Sequence, residues 1–189
     1  MDLGIAGRGC VVTGAGRGIG RATARMLCEA GAQVLLVARS EDELGEAAAE
    51  CGRAGAAVNG RAGHLAIDVT TTGAAERILA VAEDRVGALD VIVNGAGTAT
   101  WRDLEEIPDE AWTEAWELNV MAPMRLMRAA LPAMAERGWG RVVNVASTAG
   151  KRPSAKMGEY SVAKAAELSL SRLYADRWAG SGVLVNAVC

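Results

Sequence analysis

Short apolar runs alternate with longer helical stretches along this chain, and that alternation constrains the fold more than any other feature. Most runs are apolar at consecutive positions, which is typical of parallel strands covered by helices on both faces. The predicted strands are residues 10–13, 34–38, 65–68, 91–94, 142–147 and 183–188. The predicted helices are residues 19–30, 41–54, 74–85, about 109–136 and 159–178. Repeated β-α-β units predict a Rossmann-like α/β fold, a doubly wound parallel sheet, in a single domain over residues 1–189.

Composition and charge argue against several classes of protein. The net charge of −3 gives no basic field for nucleic acid or an anionic membrane surface. The apolar runs are far shorter than a membrane span, and the N-terminus lacks the pattern of a signal peptide. The cysteines are scattered, which predicts reduced thiols in a cytoplasmic protein without structural zinc. His64 is the only histidine, which excludes most histidine-based metal sites and a Ser-His-Asp triad.

A glycine-rich turn follows the first predicted strand, in the stretch VTGAGRGIG. Its spacing departs from G-x-G-x-x-G because position 19 is Ile. Gly14 can turn the chain sharply, and Gly18 and Gly20 allow a pyrophosphate or a neighbouring strand to approach. The helix beginning near Ile19 offers free N–H groups and the positive end of its dipole to phosphates. The alternative is a flexible connection without a ligand.

Tyr160 and Lys164 stand four residues apart in a predicted helix, and therefore on one face of it. A nearby ammonium favours the phenolate form of tyrosine and brings its pKa towards the working range, so that Tyr160 could exchange a proton with a carbonyl or alcohol oxygen. Ser147, thirteen residues before Tyr160 at the end of a predicted strand, could donate a hydrogen bond to the same oxygen. The alternative is an amphipathic helix whose lysine extends to solvent.

These motifs together resemble the short-chain dehydrogenase/reductase family, single-domain type. The turn reads Thr13-Gly14-x-x-x-Gly18-Ile19-Gly20, and Asn94-Gly95-Ala96-Gly97 resembles the N-N-A-G motif, with Gly95 in place of its second Asn. The resemblance implies catalytic roles for Asn119, Ser147, Tyr160 and Lys164. It implies cofactor contacts by Gly14, Arg17, Gly18, Ile19, Gly20, Arg39, Asp68, Val69, Asn94, Ala96, Gly97, Tyr160 and Lys164.

Individual roles also follow from the resemblance. Asp68 and Val69 correspond to the pair that holds the adenine, and Lys164 would hold the nicotinamide ribose. Asn119 would support a water that links Lys164 to solvent; the alternative is a helix-interior Asn that bonds locally. The helices matching 109–136 and 159–178 pair across a dimer contact in similar proteins, which implies a homodimer or homotetramer. Trp112 and Trp116 at helical spacing would then serve packing or that interface.

Two arginines bear on the choice of cofactor. An enzyme that uses NAD typically has an acid at the end of the second strand, and Arg39 stands there instead. Arg17 lies in the glycine turn, and two guanidinium groups suit a 2′-phosphate. We therefore expect NADP(H) rather than NAD(H). The alternative is that both are surface arginines, with Glu41 or Asp42 pairing with Arg39.

The sequence as a whole predicts an NADP(H)-dependent oxidoreductase that interconverts a ketone, such as a 3-oxoacyl compound, and a secondary alcohol. The alternatives are an NAD-dependent alcohol dehydrogenase and a cofactor-binding relative without turnover. The resemblance also implies further segments after Cys189: a Pro-Gly segment, a substrate lid and another strand. We therefore expect these 189 residues to be a fragment of a longer domain, and a true truncation is the alternative.

Overall fold

Among the residues that the structure describes, six strands form one sheet, in the order β3-β2-β1-β4-β5-β6. The computed structural model describes residues 4–189. The strands are β1 (Gly9–Thr13), β2 (Gln33–Ala38), β3 (Arg61–Ala66), β4 (Leu89–Asn94), β5 (Gly140–Val145) and β6 (Val183–Val188). Strand β1 pairs in parallel with β2 and β4, β2 with β3, and β5 with β6. This order and this parallel pairing are those of a Rossmann-like sheet. The predicted fold class is confirmed.

The described part of the chain also forms six α-helices. They are α1 (Gly18–Glu29), α2 (Glu41–Gly55), α3 (Ala74–Val86), α4 (Asp109–Trp116), α5 (Ala122–Glu136) and α6 (Gly158–Trp178). The single helix predicted over about 109–136 is interrupted by a π-helical turn, Glu117–Met121. Pro123 has no N–H to donate to the carbonyl of residue 119, so one α-helical hydrogen bond is missing at this turn. Within the described residues, no helix has the length and apolar character needed to cross a bilayer.

The described chain divides into two compact units, of which the first ends at Ala96. It contains β1–β4 and α1–α3. Every residue of β1 is buried, as are the four central residues of β2, because helices cover both faces of these inner strands. Cys28 of α1 and Cys51 of α2 are fully buried, and the described cysteines are free thiols.

The prediction for β3 was wrong at both ends. The strand occupies Arg61–Ala66 rather than 65–68, in register with Gln33–Ala38 of β2. It lies at the edge of the sheet and is half-exposed, so its residues carry no apolar run that would mark them in the sequence. His64 consequently lies within the strand, where its Nε2 is 2.8 Å from Glu41 Oε1.

The second unit comprises Gly97–Cys189 and contains β5, β6 and α4–α6. Strand β6 lies where it was predicted, but β5 begins two residues earlier than predicted and ends before Ser147. Met127, Leu131 and Met134 of α5 are fully buried. A Cβ at Gly140 would approach Met134 Sδ to 2.7 Å, so glycine is needed where β5 begins under α5.

Candidate active site

The glycines of the first turn are required for different reasons. Gly14 has a φ of +69°, and a Cβ there would lie 2.6 Å from the carbonyl oxygen of Gly95. A Cβ at Gly20 would lie 2.3 Å from the carbonyl oxygen of Gly14, whereas one at Gly18, with a φ of +56°, would meet nothing within 4 Å. Gly14 and Gly20 therefore permit close backbone packing, and Gly18 supplies a left-handed conformation on an open face.

The N-terminus of α1 suits an anion. Its N-cap, Arg17, has extended backbone and makes no capping hydrogen bond through its side chain, and the first turn carries no acidic residue. Helix α2 differs, because Ser40 caps it and three acidic residues occupy its first turn. Unpaired N–H groups and the positive end of the dipole are the features that bind a pyrophosphate. Ile19, exposed by 68%, and the exposed Arg17 flank this end.

Thr13 fixes the loop that follows β4. Its Oγ1 accepts hydrogen bonds from the Gly95 amide at 3.1 Å and from the Ala96 amide at 3.2 Å. Thr13 also stands in register with Asn94, the buried last residue of β4. The departure from N-N-A-G at Gly95 leaves both main-chain donors in use. Sequence reasoning treated Thr13 only as part of the glycine motif.

Asp68 and Val69 lie in the loop between β3 and α3, both half-buried. Asp68 Oδ1 accepts hydrogen bonds from the Thr70 amide at 2.9 Å and the Thr70 hydroxyl at 2.7 Å. These bonds lower the pKa of Asp68, and the charge of Arg39 lowers it further. Arg39 and Arg17 are exposed. Glu41, one alternative partner for Arg39, is bound to His64 instead.

In the second unit, Lys164 lies beside Tyr160 on α6. Lys164 Nζ is 5.7 Å from the centroid of the Tyr160 ring. The lysine side chain is 3% exposed, and its ammonium donates to the Val145 carbonyl and to Glu167 Oε2, each at 2.7 Å. Extension of this lysine to solvent is therefore ruled out. Sequence reasoning missed Glu167, although its spacing of three residues from Lys164 on a helix was a usable signal.

Asn119 lies in the π-helical turn and is 1% exposed. Its Nδ2 donates to the Ala115 carbonyl at 2.9 Å, which is the local bond considered as the alternative. Its Oδ1 has no hydrogen-bond partner among the described residues. A Cβ at Gly97 would lie 3.1 Å from this Oδ1 and 3.6 Å from Lys164 Nζ. Glycine at 97 therefore avoids a tight contact with Asn119 and leaves its Oδ1 uncovered on this side.

Ser147 begins the short turn Thr148–Gly150 after β5. Its Oγ accepts a hydrogen bond from the Ala149 amide at 3.1 Å, which leaves the hydroxyl hydrogen available to another acceptor. Gly150 packs directly on α6, since a Cβ there would lie 2.7 Å from the main-chain carbon of Lys164. The turn thus fixes the chain around Ser147 to the helix that carries Tyr160 and Lys164.

Comparison with known proteins identifies the family of the chain. The chain is 33% identical to the 3-oxoacyl-[acyl-carrier-protein] reductase FabG of Vibrio cholerae, over 98% of this chain and 73% of that protein. It matches the structure of L-sorbose reductase from Gluconobacter frateurii complexed with NADPH and L-sorbose, with a TM-score of 0.92 and 35% identity. The match covers 99% of this chain and 70% of that one. For the structure of NAD⁺-bound xylitol dehydrogenase the TM-score is 0.90 and the identity 29%, over 97% of this chain and 69% of that one. The sequence model for short chain dehydrogenases matches residues 9–189, and the chain belongs to that family.

Proposed function

We propose that this chain is an NADP(H)-dependent oxidoreductase that interconverts a ketone and a secondary alcohol. The observation that carries the proposal is the approach of Lys164 Nζ to 5.7 Å from the Tyr160 ring centroid. The similarity to FabG supports 3-oxoacyl compounds as the first substrate class to test. A second candidate, a cofactor-binding protein without turnover, is disfavoured because Ser147, Tyr160 and Lys164 are all present.

The chemistry assigned to this chain is proton transfer. In reduction, the Tyr160 hydroxyl donates its proton to the carbonyl oxygen while Ser147 Oγ donates a hydrogen bond to the same oxygen. In oxidation, the Tyr160 phenolate removes the proton of the alcohol. The Lys164 ammonium favours that phenolate by its charge. The nicotinamide cofactor, when bound, donates or accepts the hydride at the substrate carbon.

Residues of the first unit would hold the nucleotide part of the cofactor. The uncapped N-terminus of α1 offers its amides to the pyrophosphate, and Arg17 and Arg39 supply positive charge for a 2′-phosphate. NAD(H) is the second candidate cofactor because the carboxylate of Glu43 lies beside the same turn. A Cβ added at Gly16 would be 3.0 Å from Glu43 Oε2. That carboxylate would oppose an additional phosphate.

The test is reduction of a 3-oxoacyl thioester and of simple ketones with NADPH, followed by loss of NADPH absorbance. It uses the protein at the length its native source makes, established by intact mass. Tyr160→Phe should reduce turnover at least about a hundredfold, whereas Tyr174→Phe, which changes the chain's other tyrosine, should leave it near wild type. Equal turnover in the two variants would contradict the proposal, and NADPH binding without turnover would favour the second candidate.

We further propose a homodimer or homotetramer that acts in the cytoplasm on small molecules. The exposed apolar side chains Trp116 of α4 and Leu173 of α6, 44% and 65% exposed, support the assembly. The free thiols support the location.

A further inference from the structure

Glu167 forms a buried ion pair with Lys164. It stands three residues later on α6, on the same face of the helix. Its Oε2 is 2.7 Å from Lys164 Nζ. The side chain of Lys164 is 3% exposed and that of Glu167 is 2% exposed. A carboxylate removed from water to this extent is costly unless it is paired. The proposed proton transfer does not require a carboxylate here, so its presence calls for a separate role.

A chain of hydrogen bonds fixes the helix around this carboxylate. The Ser171 hydroxyl donates to the main-chain carbonyl of Glu167 at 2.7 Å, and Asn144 Nδ2 donates to Ser171 Oγ at 2.8 Å. Lys164 in turn donates to the Val145 carbonyl. Strand β5 therefore binds Lys164 through the Val145 carbonyl and is linked to the main chain of Glu167 through Asn144 and Ser171.

Among the described residues, the charge that acts on Glu167 is that of its partner Lys164. Burial raises the pKa of Glu167, and the charge and hydrogen bond of Lys164 lower it. The ionisable ring near Lys164 is Tyr160, on the same helix. The elements packed against α6 carry other charged residues: Asp109, Glu110 and Glu114 of α4, Glu117 of the π-helical turn, and Arg125, Arg128 and Glu136 of α5. Glu117 and Arg125 pair with each other at 2.7 Å. Asn119, in the π-helical turn, is neutral.

We infer that Glu167 is a positioning residue that holds Lys164 in its charged form beside Tyr160. This inference rests on the proposed function, because Lys164 acts on Tyr160 only through its charge. An opposite charge at hydrogen-bond distance favours the ammonium over the amine. Without the carboxylate, Lys164 would keep the Val145 carbonyl as an acceptor but would lose its counter-ion in a buried setting. It would then lose its proton at lower pH.

The test is a pH titration of the lysine Cε signals by NMR, since the lysines of the chain are Lys151, Lys156 and Lys164. Glu167→Gln removes the charge and keeps the size and an acceptor oxygen. We expect the Lys164 midpoint to fall by about one pH unit or more, while the exposed Lys151 and Lys156 serve as internal references. Asp176→Asn, which breaks the exposed pair with Arg172 on the same helix, should leave Lys164 unchanged.

A Lys164 midpoint that does not fall in Glu167→Gln overturns the inference. Should that variant not fold, Glu167→Leu is equally uncharged, needs no hydrogen-bond partner, and should give the same shift. In the active protein, the alkaline decline of kcat should move to lower pH together with the NMR midpoint, a change that a purely structural role would not cause. The NMR shift without NADPH-dependent turnover in any variant would contradict the proposed function and leave the ion-pair role standing.

Discussion

Lys164 donates a hydrogen bond to the main-chain carbonyl of Val145 at 2.7 Å and so joins α6 to the end of β5. Because that lysine is buried together with Glu167, its removal has consequences for folding as well as for chemistry. Lys164→Met leaves a buried carboxylate without its cation, and breaking such a pair from one side costs about 3 kcal/mol. Urea unfolding at neutral pH measures this loss.

The loss should depend on pH with a defined sign. Burial raises the pKa of Glu167 above its ordinary value of 4.5, and Lys164 opposes that rise. A carboxyl whose pKa is raised on folding contributes stability below the ordinary value and loses it as pH rises through the folded pKa. Lys164→Met removes the charge that opposes the rise, so the variant loses more stability than the wild type as Glu167 ionises. Its stability should come closest to that of the wild type in acid and fall further below it towards neutrality. The double variant Lys164→Met with Glu167→Leu should recover most of the loss, and a deficit independent of pH would contradict this account.

The Thr13 hydroxyl gives a second prediction. Thr13 is 3% exposed, and its Oγ1 accepts from the amides of Gly95 and Ala96. Thr13→Val keeps the shape of the side chain but leaves both amides without this acceptor, which should lower the free energy of unfolding by about 1 to 3 kcal/mol. Thr13→Ser retains the hydroxyl and should lose much less. If Val and Ser are equally destabilising, the hydrogen bonds are not the cause.

Elements that were predicted correctly from the sequence carry local patterns, whereas those that were misplaced depend on contacts between distant parts of the chain. Strand β1, the glycine turn and α6 were predictable because buried apolar runs and glycine spacing are local signals. Strand β3 was misplaced because pairing with β2 sets its bounds, and that pairing is long-range. The π-helical turn has no hydrophobic signature, and a proline does not mark it either, since Pro132 lies within α5 without interrupting it.

Thr13 and Glu167 show the same distinction within the candidate site. The role of Thr13 depends on two amides more than eighty residues away in the chain, which no local pattern reveals. Glu167 was accessible to helix-spacing rules, but its burial was not, because a glutamate on a helix is usually solvated. Tyr160 and Lys164 were found because helix geometry brings them to one face and because Ser147 and the glycine turn precede them at the spacing of the family.

Arg39 provides the third prediction, on the choice of cofactor. Arg39→Asp replaces a charge that attracts a 2′-phosphate with one that repels it and can accept a hydrogen bond from a ribose hydroxyl. We expect kcat/KM for NADPH to fall at least about tenfold and kcat/KM for NADH to change less. Arg53→Asp, at an exposed position in the last turn of α2, applies the same charge change elsewhere in the first unit. An unchanged preference in Arg39→Asp would favour the NAD-dependent alternative.

The fourth prediction concerns assembly through α6. Leu173 lies on this helix and is 65% exposed, and Val162 on the same helix is 49% exposed. An exposed apolar side chain in a homo-oligomer contact should tolerate no charge, so Leu173→Glu should weaken association by at least about tenfold. Sedimentation velocity over a range of concentrations measures this. Met26→Glu introduces the same charge at a 61% exposed position on α1 and should leave the oligomer intact. A monomeric wild-type protein, or equal dissociation of both variants, would show that this face of α6 is not the contact.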